Sequence, residues 1–176
     1  MVLWTIQSKK AYESLCENGV LIAGDGHEIF EPYFEHAYKW LSDQMKVRIG
    51  KPPVGAKYPI WAWYQWEGKR KRPDMRSHNK VGTPGDKIVL LTLDVPDEQV
   101  LLSDFDDWHY VLMGECIEDE ISDKEYSEAE IVESWNKIFD YENPPSGGEP
   151  NGLSTQATMW QVKKEWVKKI EFFVSR

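Results

Sequence analysis

Polar side chains alternate with apolar ones near both ends of the chain, at a spacing suited to binding a ligand amide. Thr5 and Gln7 are two residues apart in an apolar opening stretch, so a strand there puts them on one side. An edge strand whose polar residues face water explains them equally well. Near the other end, Gln156, Thr158 and Trp160 put two hydrogen-bonding groups and an indole on one side of a strand. Packing alone does not account for that choice of residues.

Residues 103–109 combine carboxylates, aromatic rings and a histidine, a composition that suits acid–base chemistry. A carboxylate such as Asp104 could orient the neighbouring imidazole of His109 for acid–base work. The alternative is structural, because Ser103 or Asp104 is also a favoured cap for a short helix, and His109 would then bond to backbone. The sequence leaves both interpretations open.

Tryptophan is over-represented, with nine in 176 residues. Indole has a large apolar face and one N–H donor that needs a partner when buried, so this composition indicates an aromatic core, a pocket for a flat ligand, or both. Residues 58–66 are the densest aromatic stretch and could form a wall that stacks a nicotinamide or adenine ring. The apolar stripes around Trp40, Trp135 and Trp166 assign these three to the core, and Trp66 is a further candidate there. Position assigns five to the pocket: Trp4, Trp61, Trp63, Trp108 and Trp160.

The charge of the chain is unevenly distributed. The net charge is −9, but residues 91–143 hold 17 acidic and 2 basic side chains, which leaves +6 for the rest. An anionic protein is poorly suited to duplex DNA, because that binding scales with the phosphates neutralised. We predict a basic loop over residues 67–86, in which Arg76 and its neighbours could meet a pyrophosphate or a short RNA strand. A solvated loop is the alternative, because Gly68 and Pro73 interrupt it.

Several classes of protein are excluded by composition. No run of about 18 uncharged apolar residues is present to span a bilayer, and the N-terminus lacks the features of a secretion signal, so we expect a cytoplasmic protein without a membrane partner. Two cysteines and four scattered histidines make neither a disulfide framework nor a metal site. The chain also lacks a phosphate-cradling glycine loop, a glycine-flanked nucleophilic serine and paired histidines at helical spacing.

The hydrophobic pattern predicts the strands and helices that must position these residues. Strands are expected at residues 2–6, 20–23, 58–66, 87–95, 99–102, 155–162 and 166–174. Helices are expected between the cap residues Ser8 and Gly19, from near Pro32 to Met45, and after a capping box of Ser127 and Glu130. A Pro/Gly loop over residues 140–155 is long enough to have a role over a site. The sum is one α+β domain over residues 1–176, with helices mainly in the first half and five to seven strands.

Most of the chain resembles a family of small bacterial proteins that is described as a domain of unknown function. The segments that carry the resemblance are LWTIQ at 3–7, PIWAW at 59–63, KRPDMR at 71–76, LLSDFDDWH at 101–109 and QATMW at 156–160. This resemblance implies no activity.

A more distant resemblance is to the ADP-ribosyltransferase superfamily, and it rests on three motifs. Residues 4–5, followed by a helix and by Gly-Val-Leu at 19–21, are similar to the superfamily's first strand and to the turn after its helix. The aromatic strand at 61–63 resembles the wall of the nicotinamide cleft, and Gln-Ala-Thr at 156–158, followed by a last strand, resembles the third motif. The resemblance implies two small, mostly antiparallel sheets around a cleft, with NAD as the cofactor.

Two positions depart from the superfamily's pattern. Trp4 stands where a His or Arg grips NAD, and Thr158 stands where a catalytic Glu bonds the ribose and steadies the cationic transition state; threonine can do only the first of these. Either other residues carry the chemistry, or the pocket binds without reacting. The candidate catalytic residues are Thr158, Gln156, His109 and Asp104. The candidate cofactor-binding residues are Trp4, Thr5, Gln7, Trp61, Trp63, Arg76 and Trp160.

Two functions follow from these features. The first is an ADP-ribosyltransferase-like enzyme that binds NAD in a tryptophan-rich cleft and has a short RNA or a protein as acceptor; the order and spacing of the three motifs favour it. The second is a module without catalysis. It binds a nucleotide in the same cleft, or it uses its acidic surface to meet a protein partner, as an antitoxin or inhibitor does.

Overall fold

The computed structural model describes residues 1–24, 32–76, 83–118, 124–145 and 153–176. The strands are β1 (Val2–Ser8), β2 (Val20–Ile22), β3 (Ile60–Gln65), β4 (Lys87–Asp94), β5 (Leu101–Asp104), β6 (Thr155–Met159), β7 (Gln161–Lys163) and β8 (Val167–Val174). The α-helices are α1 (Lys9–Asn18), α2 (Glu35–Arg48), α3 (Asp107–Met113) and α4 (Glu128–Ser134). Short 3-10 turns lie at Pro32–Phe34, Asp97–Gln99, Trp135–Phe139 and Lys164–Trp166. The described chain is therefore α+β, as predicted.

Six strands form one antiparallel sheet in the order β5-β6-β3-β1-β4-β8, and β2 pairs with β7 in a smaller sheet. The large sheet joins segments from both ends of the chain, because β1 lies between β3 and β4 while β6 lies between β5 and β3. The strands β1 and β3 share the Cα pair Trp4↔Trp63. Beside that pair, the hydroxyl of Thr5 donates a hydrogen bond of 2.7 Å to the carbonyl of Trp61, which ties the two strands together.

Three expectations about the elements are wrong. Residues 155–162 form two strands in different sheets, because the chain turns at Trp160, whose indole packs in the core and donates to the Gly50 carbonyl at 2.8 Å. The described residues hold eight strands rather than five to seven. The sheets are also unequal, with six strands and two, rather than two small sheets.

The two faces of the large sheet are covered by different elements, because alternate residues of a strand point to opposite sides. On one face, Leu3, Val89 and Leu91 pack with α1 and the small sheet. On the other face, β5, β6 and β3 pack against α2, α3 and the turn at Trp135–Phe139 through a cluster rich in aromatic residues. The buried members of that cluster are Ala37, Leu41, Met45, Leu101, Trp108, Val111, Ile117, Trp135, Ile138 and Trp160.

The basic loop is folded onto the sheet as far as residue 76. The guanidinium of Arg70 lies 3.7 Å from the ring centroid of Tyr64 and also donates to the carbonyl of that residue. Arg72 makes two hydrogen bonds to Glu171 of β8, at 3.0 and 3.2 Å, and Met75 is buried against the sheet. These contacts anchor the first half of the loop, so it is not a freely solvated segment.

Parts of both predicted loops lie outside the described residues, namely 77–82 of the basic loop and 146–152 of the Pro/Gly loop. The predicted capping box is confirmed: the Ser127 hydroxyl accepts from the Glu130 N–H, and a Glu130 carboxylate oxygen accepts from the Ser127 N–H. None of the described helices has the length and apolar composition needed to cross a membrane.

Helix α1 has the two caps that the sequence predicted. The Ser8 hydroxyl accepts from the Ala11 N–H at 3.1 Å, and the N–H of Gly19 donates to the Leu15 carbonyl at 3.0 Å. Gly19 has φ 74°, a left-handed conformation that glycine adopts without a steric penalty. This cap sends the chain directly into β2.

Replacing Gly19 with alanine is expected to lower the free energy of unfolding by about 1 kcal/mol. A Cβ atom at this position meets nothing within 4 Å, so the loss comes from the left-handed backbone alone. Urea unfolding followed by circular dichroism measures it. The matched control is Glu17→Ala, an exposed change in the same helix end, which is expected to stay within about 0.5 kcal/mol of the parent. Equal stability of the two variants would contradict the expectation.

Candidate functional site

A cavity of about 330 Å³ lies against the large sheet on its aromatic face, beside α2 and α3. We call it the tryptophan cavity. Its walls are Trp4, Ile6, Tyr38, Trp61, Ala62, Trp63, Phe105, Trp108, His109, Leu112 and Gln156. Two larger surface grooves, of about 560 and 990 Å³, are lined mainly by charged and polar side chains. The tryptophan cavity is the better candidate for a ligand site, because aromatic walls with a few polar groups are typical of such sites.

The register of three strands brings the cavity residues together. Trp4 on β1 lies opposite Trp63 on β3, and Trp63 lies opposite Gln156 on β6. Residues that face each other across antiparallel strands point to the same side of the sheet, and residues two apart do so as well, which adds Trp61. The floor of the cavity is therefore formed by residues that are far apart in sequence, and α3 adds Trp108 and His109 as a wall.

The aromatic rings of the cavity hold one another in place. Trp61 and Trp108 pack with centroids 5.3 Å apart, and the ring of Tyr38 meets both of them edge-on. Trp63 packs in the same way against Phe105, at 5.0 Å. Such edge-to-face pairs restrict ring rotation. The walls of the cavity are therefore held in a fixed arrangement by their own contacts.

Gln156 carries the polar group that the cavity leaves unsatisfied. Its side chain is 5% exposed, and its Nε2 has no hydrogen-bond partner among the described residues. Ser103 lies directly opposite on β5, and its hydroxyl is likewise buried without a described partner. A buried polar group without a partner costs about 1–3 kcal/mol, so such groups are retained where a ligand or water supplies the bond.

His109 is oriented by the backbone of its own helix. Its Nδ1 lies 2.9 Å from the carbonyl oxygen of Phe105, and a carbonyl only accepts, so Nδ1 carries the hydrogen. In the neutral imidazole, Nε2 is then the nitrogen left to accept a proton or a hydrogen bond. The ring also packs edge-on against Phe105, with centroids 4.8 Å apart. This geometry agrees with the structural interpretation of residues 103–109.

Asp104 caps the first turn of α3. Its Oδ1 accepts hydrogen bonds of 2.8 Å from the backbone N–H groups of Asp106 and Asp107, and its Oδ2 is buried without a described partner. Burial, with a smaller contribution from those neighbouring carboxylates, raises the pKa of Asp104 to about 6. Asp104 is not among the residues that line the tryptophan cavity.

Three other predicted site residues also lie outside the cavity. Thr5 and Gln7 point to the opposite face from Trp4, where the amide of Gln7 donates to the Thr5 hydroxyl at 2.7 Å. Thr158 shares the cavity's face of β6, but it is fully buried and its hydroxyl donates to the Leu101 carbonyl at 3.3 Å. The alternation of strand residues separates the first two from the tryptophans, and the third is bonded to the neighbouring strand β5.

Arg76 and Trp160 are placed away from the cavity as well. The Arg76 side chain is 86% exposed, pairs with Asp74 at 2.6 Å, and lines the groove of about 560 Å³ beside β8. Trp160 is a core residue whose N–H is satisfied by the Gly50 carbonyl. Of the predicted site residues, the structure therefore brings five together: Trp4, Trp61, Trp63, His109 and Gln156.

Some cavity residues were not predicted from the sequence as site residues. Tyr38 and Leu112 come from helices whose apolar stripes signal packing, and a single sequence does not show that their neighbours line a cavity. Phe105 lies in the acidic and aromatic segment at residues 103–109, and Trp108 of that segment does line the cavity as its assignment to the pocket predicted. Burial raises the pKa of Tyr38 above its ordinary value, so its hydroxyl stays neutral and can donate a hydrogen bond.

The structure defines an α+β protein with an aromatic cavity against its large sheet. The chain belongs to the family described as Domain of unknown function (DUF3841), whose family model matches residues 2–129 and 124–168. The resemblance to such a family is thus confirmed. Searches of curated proteins and of solved structures found no match.

Proposed function

We propose that the protein binds the flat heterocyclic ring of a nucleotide in the tryptophan cavity, with NAD as the first candidate ligand. The observation that carries the proposal is the Gln156 amide nitrogen, which has no hydrogen-bond partner among the described residues and lies beside four indole rings. Aromatic faces stack any planar base, and an amide can bond the edge of a nicotinamide or nucleobase.

The size of the cavity supports a single ring system. Ligand pockets typically measure about 300–1,000 Å³, and this cavity, at about 330 Å³, lies at the lower end. A nicotinamide or adenine ring therefore suits it better than a whole dinucleotide does, so the rest of the ligand would extend over the surface. His109, which is exposed, lies where such an extension can meet a hydrogen-bonding group.

Titration with nicotinamide, NAD, AMP and UMP tests the proposal, followed by tryptophan fluorescence and by calorimetry. A ring that enters the cavity contacts up to four indoles, so at least one of these ligands should change the emission with a saturable dependence on concentration. Calorimetry should give the same dissociation constant as the fluorescence titration if the change in emission reports binding. Absence of any response at millimolar concentrations of all four ligands would overturn the proposal.

Trp63→Leu is expected to weaken binding of the preferred ligand about tenfold to hundredfold, because a stacked base contributes about 1–3 kcal/mol. Leucine keeps an apolar side chain on the strand and removes the ring. The matched control is Trp40→Leu, because Trp40 stacks on Phe139 at 5.8 Å and does not line the cavity. The control should lower total fluorescence and leave the dissociation constant unchanged. Equal weakening by both variants would indicate a general loss of structure.

A second candidate is the transfer of ADP-ribose from NAD, and the position of His109 favours it. An imidazole whose Nδ1 is bonded to a carbonyl keeps Nε2 for a substrate proton. Incubation with NAD, followed by chromatography of free nicotinamide, tests this chemistry. Release that is faster than in buffer and is abolished by His109→Gln supports transfer or hydrolysis. Release at the buffer rate, with binding intact, leaves the function as binding alone.

A further inference from the structure

Strand β8 forms one edge of the large sheet and carries an exposed apolar stripe. It is the last strand in the order of the sheet, and it pairs with β4 on its inner side only, among the described residues. Ile170, Phe172 and Val174 alternate along it and therefore point to the same face. Their exposed fractions are 41%, 59% and 55%.

Three exposed apolar side chains in a row are unusual on the edge strand of a sheet. An edge strand offers unpaired N–H and C=O groups to any other strand, so soluble proteins normally place charges or short strands there. Lys168 and Lys169 protect the first half of β8 in that way, and each pairs with a carboxylate. The second half has Glu171 alone, and its side chain is held by Arg72 of the same chain. In the part of the chain that the structure describes, no other strand pairs with the outer edge of this apolar half.

When β8 pairs with β8 of a second copy, the apolar stripes of the two strands can face each other. In an antiparallel pair centred on Phe172, each Phe172 faces its equivalent, and each Ile170 faces Val174 of the other copy, all on one face of the joined sheet. A pair centred on Glu171 would instead oppose two carboxylates. A pair centred on Ile170 would place Lys168 opposite Phe172. The register centred on Phe172 is the one in which all three residues of the stripe face apolar residues. On the other face it places Glu171 opposite Phe173, and beyond the stripe Lys168 lies opposite Arg176, so the apolar match alone selects this register.

We infer that the protein self-associates through β8, by antiparallel pairing centred on Phe172, to give a two-fold dimer with a continuous twelve-stranded sheet. Tyr12 of α1 packs against Phe172 with centroids 5.6 Å apart, so the joined strands would also bring the two α1 helices near each other. The pairing extends over about five residues in each chain, because the lysines border it, so the interface is small. Association in the micromolar range is expected for such an interface.

Sedimentation velocity over a concentration series tests the association. The wild-type mass should rise from that of one chain toward that of two. Phe172→Lys places two lysines opposite each other and is expected to remain a monomer at every concentration, with an unchanged circular dichroism spectrum. The matched control is Val47→Lys, an equally drastic change at an exposed position of α2, which should dimerise like the wild type. A monomeric wild type, or a Phe172→Lys variant that still dimerises, overturns the inference.

Cysteine cross-linking tests the register, in a background with Cys16→Ser and Cys116→Ser. Phe172→Cys brings its thiol opposite its equivalent in the second copy, and a dimer should form with a short bis-maleimide. Lys168→Cys lies on the same strand, but in this register it is eight residues away from its equivalent, about 26 Å in an extended strand. It should not cross-link. Equal cross-linking of both variants contradicts the register, and pairing with a strand of another protein would leave both of them uncross-linked.

Discussion

Replacing Gln156 with methionine is expected to stabilise the free protein and to weaken ligand binding. The buried amide of Gln156 lacks a hydrogen-bond partner for Nε2, and methionine fills a similar volume without a polar group. Removal of an unsatisfied buried group should raise the free energy of unfolding by about 1–2 kcal/mol. The affinity for the preferred nucleotide should fall at least about tenfold, because the bond that the ligand makes to the amide is lost.

Urea unfolding and calorimetric titration measure the two effects on the same samples. Gln65→Met is the matched control, because the amide of Gln65 already donates to the Leu153 carbonyl at 3.3 Å and lies outside the cavity. That variant should be no more stable than the wild type, and it should bind the ligand normally. If Gln156→Met destabilises the protein, the amide has a structural partner and the proposed role in ligand binding is wrong.

Replacing Asp104 with asparagine is expected to change the pH dependence of stability. Burial raises the pKa of Asp104 to about 6, against about 3.9 in the unfolded chain. The folded state therefore holds the proton more tightly than the unfolded state does. Stability from this group is fully present below about pH 4 and is lost as the pH rises through about 6. A difference of about 2 pKa units corresponds to about 3 kcal/mol.

The wild type and Asp104→Asn should therefore have similar stability at pH 4, and the variant should be more stable by about 2–3 kcal/mol at pH 7.5. The side-chain oxygen of asparagine can still accept hydrogen bonds from the N–H groups of Asp106 and Asp107, so the cap at the start of α3 is kept. Denaturant unfolding at several pH values gives the difference directly. Asp106→Asn, a change at the exposed neighbour, is the control and should show a much smaller trend, because burial rather than the Asp106 charge is the main cause of the raised pKa. A difference that stays constant with pH would contradict the assignment.

Local features of the fold were predictable from neighbouring residues. The caps of α1 at Ser8 and Gly19 and the capping box at Ser127 depend on side chains within three or four positions, so the sequence pattern specifies them. The turn at Trp160 was missed for the opposite reason. Residues 155–162 read as one apolar strand, and only the burial of that indole against the Gly50 carbonyl divides it between two sheets.

The sequence predicted the kinds of residue that line the cavity, but not which individual residues do so. The sequence indicated that tryptophans, Gln156 and His109 would matter, and the structure brings these together. The structure places two other predicted residues outside the cavity. Arg76 pairs with Asp74 beside β8, and Thr5 points to the opposite face of β1. Which side of a strand faces the helices depends on the strand order, and that order is set by contacts between distant segments.

The sequence by itself determined the α+β class, the family, the helix caps and the surplus of indole rings, because each depends on composition or on short-range spacing. The tertiary structure decided which indoles line a cavity and which fill the core. The physical reason is the antiparallel register of β1, β3 and β6, which sets Trp4, Trp63 and Gln156 side by side. Residues 59 and 93 positions apart thus become direct neighbours across paired strands, which no local sequence pattern records.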